Sequence, residues 1–223
     1  DGYTLFGGTQ LHGTWPIMGQ ADVGWESFYP FTAGMGGTTI YVRGDSPYKD
    51  LNDLVEAIKK SDKVVNFGST SAGGNGSIFG NAVAEAAGIA DKVREIPYQG
   101  GRDAGRYLLS GEVEFVSVSL GDIADWAEAG QVRPIANLYH SDFVWRGVTF
   151  PSITHYYPEL EIYSAINPYW GFSVHRDTPE EIVVKLAEAF VHAVKTERFQ
   201  EALDSRGIIL APMMGVAADQ VVS

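Results

Sequence analysis

The segment Val64-Val65-Asn66-Phe67 runs into Gly68-Ser69-Thr70-Ser71-Ala72-Gly73-Gly74-Asn75-Gly76-Ser77 and then into an alanine-rich stretch that reaches Ala87 before Gly88. It reads as strand, loop and helix, with Gly88 as the helix stop. A glycine and hydroxyl loop in that position forms a ready anion site, because free N–H groups and the positive end of the helix dipole converge there. It is no nucleotide loop. No Lys follows Gly76, as a Walker loop requires, and Phe79 stands where a Gly-x-Gly-x-x-Gly counted from Gly74 needs its third glycine. On residues alone, the loop is either a neutral anion cradle or a flexible connection.

Working outward, the apolar period alternates between strand and helix. Tyr3 to Phe6, Thr38 to Arg43, Val93 to Ile96, Phe115 to Ser119, Val132 to Leu138, Trp170 to Val174 and Ile208 to Leu210 read as strands. Asp50 is placed to cap a helix with Leu51, Leu54, Val55 and Ile58 on one face, and further helices are expected over 102–109 and 123–129. In Thr178-Pro179-Glu180-Glu181, Thr178 is expected to cap a helix, with Pro179 at its first position and Glu181 closing a capping box. The irregular, aromatic text from His140 to Pro168 reads as a crossover. This alternation predicts an α/β protein with mainly parallel sheets, whose ligands bind outside the carboxyl ends of strands.

Composition bounds the function. The 223 residues are 45% hydrophobic and 20% charged, an ordinary globular balance long enough for one large domain or two lobes. A formal charge of −12 repels phosphate backbones and argues against nucleic acid as a partner. The lack of Cys excludes thiol catalysis, disulfides and Cys-ligated zinc. The five His are scattered without a His-Glu-x-x-His arrangement, so no metal or cofactor is expected. There is no Gly-x-Ser-x-Gly elbow, and acidic pairs such as Glu180 and Glu181 sit at helix starts, where they match the dipole. No apolar run spans a membrane, and Trp15 and Trp170 are candidates to line a pocket.

Several ordered motifs then carry a resemblance. Val65-Asn66-Phe67-Gly68-Ser69, Ile96-Pro97-Tyr98-Gln99-Gly100-Gly101, Leu109-Ser110-Gly111-Glu112-Val113-Glu114-Phe115 and Ala129-Gly130-Gln131-Val132-Arg133 resemble the solute-binding proteins of tripartite tricarboxylate transporters, the Bug or TctC-like family. Asp1-Gly2-Tyr3-Thr4-Leu5, Tyr169-Trp170-Gly171-Phe172 and Asp177-Thr178-Pro179-Glu180-Glu181 match in the same order.

The resemblance implies a type II periplasmic-binding-protein fold, two α/β lobes around a ligand cleft. Its function would be to capture a small organic carboxylate outside the cytoplasm for membrane transporter subunits, without catalysis and without inserting in the membrane. Residues 1–62 and 164–223 would form the first lobe, 63–139 the second, and 140–163 the crossover. Carried over by position, Ser69, Thr70, Ser71, Gly73, Gly74, Asn75, Gly76 and Ser77 would form the anion loop of the second lobe. Thr9 and Gln10 would face it from the first, Tyr98 would support the turn, and Ser119 would line the cleft at a strand end.

This chain departs from the family pattern in four ways. The loop is two residues longer, and Ile78 and Phe79 replace more usual polar residues. Arg102 follows Gly101 where a small residue is common, and reads as a second carboxylate anchor or as a solvated helix residue. The family's opening strand, loop and helix have no counterpart ahead of Asp1, which leads to the expectation of an incomplete first lobe. Two alternatives stay open: a ligand-sensing domain signalling to a partner protein, and a hydrolase using a loop serine with a distant His.

Overall fold

The computed structural model describes residues 4–8, 15–19 and 21–214. In chain order the first elements are β1 (Phe6–Gly8), β2 (Phe28–Met35), β3 (Thr38–Arg43), α1 (Leu51–Lys60), β4 (Val65–Thr70) and α2 (Asn75–Ala86). Next come β5 (Val93–Tyr98), α3 (Gly101–Ser110), β6 (Phe115–Ser119), α4 (Leu120–Glu128) and β7 (Val132–Asn137). The chain continues through β8 (Phe143–Trp145), β9 (Val148–Phe150), β10 (Tyr169–His175), α5 (Glu180–Val194), α6 (Glu197–Asp204) and β11 (Ile209–Met214). No described helix is long and apolar enough to cross a membrane.

The chain forms two compact units, Gly37–Asn167 and Asp1–Gly36 with Pro168–Ser223. The inner unit holds a five-stranded sheet in the order β5-β4-β6-β3-β7. Strand β4 runs parallel to β5 and β6, whereas β3 runs antiparallel to β6 and β7. Helices cover both faces. On one, α1 and α2 bury Leu51, Leu54, Ile58, Phe79 and Val83 against Ile40, Val42 and Phe67; on the other, α3 and α4 bury Leu108, Leu120 and Ile123 against Tyr41, Val116 and Val118. Each such side chain contributes about 1.5–3 kcal/mol by leaving water. Asp50 caps α1 as its spacing predicts, its carboxylate accepting the Asp53 N–H at 3.0 Å.

The second unit is built on an antiparallel sheet in the order β1-β10-β2-β11. Phe31 of β2 stacks on Phe172 of β10 with centroids 4.6 Å apart, and Phe190 of α5 meets Phe31 edge-on at 5.7 Å. The β10 strand bulges between Trp170 and Gly171, where Gly171 lies against the backbone of Phe31 and leaves no room for a Cβ.

These facts correct several expectations. The sheets are mixed and antiparallel rather than mainly parallel, because β3 enters the five-stranded sheet reversed. The units meet along the chain at Gly36/Gly37 and Asn167/Pro168, not at 62/63 and 163/164, because β3 and α1 belong to the same core as β4 and α2. The stretch 140–163 packs into the inner unit through the β8–β9 hairpin and through Ile153 and Leu160, both buried in its core. Helix α5 begins after Pro179 with no side-chain cap, and the Thr178 N–H turns back to the His175 carbonyl at 3.0 Å, so no capping box forms. Of the strand expected over Tyr3 to Phe6, Tyr3 lies outside the described residues and Thr4 and Leu5 are not in a strand; the observed strand is Phe6–Gly8.

Candidate functional site

In the inner unit, the carboxyl ends of β4, β5 and β6 lie side by side, with Thr70 paired to Tyr98 and the start of β3 placing Thr38 opposite Ser119. A helix follows each of the three strands, and α4 is broken at Ile123 (φ −138°, ψ 22°) after a first turn of Leu120–Asp122. None of α2, α3 and α4 has a side-chain cap. The first N–H groups of a helix have no partner within it, so this edge concentrates backbone donors and positive dipole ends.

The loop into α2 is built around three backbone demands. Ser71 and Gly73 take left-handed conformations, with φ of 48° and 74°. The Ser71 N–H is tied to the Tyr98 carbonyl at 3.0 Å, and the Gly74 N–H closes a turn on the Ser71 carbonyl at 3.2 Å. A Cβ on Gly74 would stand 2.7 Å from the Thr70 carbonyl oxygen, and one on Gly76 would run into the carbonyl oxygen of Ser117. Only glycine lets the helix start this close to the strands. The first helical bond, from the Ile78 N–H to the Gly74 carbonyl at 2.9 Å, leaves the N–H groups of Asn75, Gly76 and Ser77 without an intrahelical partner.

Asn75 links the elements around this start. Its side-chain amide donates to the Thr38 hydroxyl at 2.8 Å and toward the Ser119 hydroxyl at 3.4 Å. Ser119 is the N-cap of α4, where the Leu120 N–H is taken by the Gly37 carbonyl at 2.7 Å. Asp122 crosses to the third start: its carboxylate lies where a Cβ on Gly101 would be, against the N-terminus of α3. The starts of α2 and α4 are thus linked through Asn75, with Asp122 in the first turn of α4.

The structure brings Thr70, Ser71, Gly73, Gly74, Asn75, Gly76, Ser77 and Ser119 together, and it sorts the other expected residues differently. Ser69 is fully buried inside β4, and its hydroxyl donates to the Glu95 carboxylate at 2.5 Å, which also accepts from Asn81 at 2.7 Å. It is a structural hydroxyl, not a loop donor. Arg102 is paired within the chain: its guanidinium grips Asp125 at 2.8 and 3.0 Å and lies over the Trp126 ring at 4.6 Å. Tyr98 supports the loop through its carbonyl, while its ring stacks on Tyr107 at 4.5 Å and burial pushes its phenol pKa up.

Trp170 belongs to the other unit, where it lines an apolar pocket of about 470 Å³ with Leu5, Phe172, Leu186, Phe190 and Leu203. Thr9 and Gln10 lie outside the described residues. A larger open groove of about 640 Å³ runs beside Tyr98, Tyr107 and Arg106, along α3. Sequence reasoning missed Thr38 and Gly37, which are recruited by strand pairing and carry no local signal. Among the described residues, no group of three or more His, Asp or Glu side chains is placed to hold a metal ion.

Comparison with known proteins agrees with this architecture. The family model for the tripartite tricarboxylate transporter family receptor matches residues 1–220. The crystal structure of a TctC solute-binding protein from Polaromonas is 24% identical, with a TM-score of 0.73 over 100% of this chain and 74% of its own. MatC from Rhodopseudomonas palustris with bound malate is 20% identical, with a TM-score of 0.81 over 100% of this chain and 76% of its own. A second R. palustris protein, with adipate, is 20% identical with a TM-score of 0.79, over 99% and 72% of the two chains. No curated protein sequence matches the chain. By the match of the family model over nearly its whole length, and with the fold of the periplasmic binding proteins, this chain belongs to the family of tripartite tricarboxylate transporter receptors.

Proposed function

We propose that this chain is an extracytoplasmic solute-binding protein that captures a small organic carboxylate for a tripartite tricarboxylate-type transporter, with the starts of α2 and α4 as its carboxylate cradle. The observation that carries the reading is the pair of uncapped helix starts linked by Asn75, lined by hydroxyls, with the nearby Arg102 committed to Asp125. Helix N-termini hold a carboxylate by short-range N–H donation and need no basic side chain. Malate and adipate in the two R. palustris structures support small dicarboxylates as the substrate class. A serine hydrolase is disfavoured by Ser69, whose hydroxyl is buried and committed to Glu95.

Thermal-shift screening against mono-, di- and tricarboxylates tests the reading. A carboxylate present at about 100 times its Kd should add about 2.7 kcal/mol of stability. A flat response to the whole panel contradicts it.

A further inference from the structure

We infer that Asn167 is a positioning residue for this site, acting through a relay of hydrogen bonds that fixes where the donors of α2 stand. Resting on the proposed carboxylate function, the inference concerns residues distant from the loop in sequence. Asn167 is the last residue of the inner unit and is buried, 3% exposed. Its side-chain amide donates to the Leu138 carbonyl at 2.5 Å, and its side-chain oxygen accepts the Thr38 N–H at 3.0 Å. The Thr38 hydroxyl accepts from Asn75 at 2.8 Å, and Asn75 reaches the Ser119 cap of α4 at 3.4 Å. Four residues from four separate stretches of chain thus form one line ending at both helix starts.

The line demands an amide at its origin. Leu138 offers only an acceptor and Thr38 only a donor, so residue 167 must donate on one side and accept on the other. Asn does both. An ionised carboxylate of the same shape accepts from Thr38 but turns lone pairs toward the Leu138 carbonyl, whereas a protonated one donates there and restores both bonds. Burial and the facing carbonyl raise the pKa of such a carboxyl. Asn167→Asp is therefore a pH-controlled break in the relay.

The wild-type relay contains no titratable group. Tyr139, next to Leu138, is a phenol that burial pushes up. His140 is exposed, and His155 pairs with Asp142 at 2.6 Å. Between about pH 8 and pH 5, where only His among ordinary side chains changes charge, wild type is the control for those groups.

The test is a pH series on N167D and wild type, by amide NMR without ligand and by titration with succinate. The expected result is that the Asn75 side-chain and Gly76 backbone signals of N167D move with pH and approach wild-type positions at the acid end. The ratio of N167D to wild-type succinate affinity, which cancels the ligand's own titration, should fall at least about tenfold as pH rises, the scale expected when a buried group loses its partner. Asn75 and Gly76 signals indifferent to pH in N167D, with only the melting temperature lowered, overturn the relay and leave Asn167 a purely structural residue. Moving signals with a flat affinity ratio overturn its role in binding. The ligand-free spectra keep the two claims apart, since a wild type that takes up no carboxylate overturns the proposed function, and the role in binding falls with it.

Discussion

Gly76 meets the tightest demand in the loop, because the space a side chain would take is filled by the Ser117 carbonyl. Gly76→Val must push the start of α2 off the sheet, at a cost of about 1–3 kcal/mol. Urea melts should show that loss, and titration should show a larger fall in carboxylate affinity than Ser71→Ala, which removes one exposed hydroxyl from a loop whose N–H groups stay in place. Arg102→Ala should leave affinity nearly unchanged and cost at most about 1 kcal/mol, since it breaks a half-exposed pair with Asp125; a collapse of binding in that variant would restore Arg102 as an anchor. Asp142 supplies the acid-side prediction. Its carboxyl pKa is lowered from 3.8, first by the Ser152 N–H and then by His155. A lowered pKa gives stability present above the unfolded value and lost as pH falls through the folded one. The stability gap between wild type and Asp142→Asn should therefore be full at neutral pH and close below about pH 4 in acid melts.

Among elements, α1 has its own side-chain cap and α2 does not, so the cap can be removed without touching the proposed cradle. Asp50→Ala should cost about 1 kcal/mol in chemical denaturation and leave carboxylate binding alone. The α2 loop and its flanking strand and helix were legible because glycines, hydroxyls and periodicity are local signals. Strand β2 was not, because Pro30 and Gly34 interrupt it in sequence. The structure accepts that proline because β11 pairs only with the Phe31–Met35 part of β2, so the strand has a single neighbour at Pro30 among the described residues. The β8–β9 hairpin was hidden too: Arg146 and Gly147 both turn with positive φ, where Asn-Gly is the usual signal. Thr38 and Asn167 could not be paired in advance, being 129 residues apart and joined only by tertiary structure.

At the scale of the whole molecule, the charge of −12 works against the proposed carboxylate ligand. A small dianion would be repelled at long range and, in the proposed cradle, held at short range by N–H groups, so added salt screens the repulsion while barely weakening the contacts. Carboxylate affinity should then stay flat or rise slightly from low to moderate salt, opposite to a site made of Lys and Arg. The neutral cradle itself is tested most directly by amide NMR of labelled protein titrated with the strongest carboxylate from the thermal-shift panel. The largest shifts should fall on the backbone N–H groups of Asn75, Gly76 and Ser77 and of Gly121 and Asp122 in the first turn of α4, at low and moderate salt alike. Shifts centred on Arg102 and Arg106, or shifts that vanish as salt is added, would contradict it.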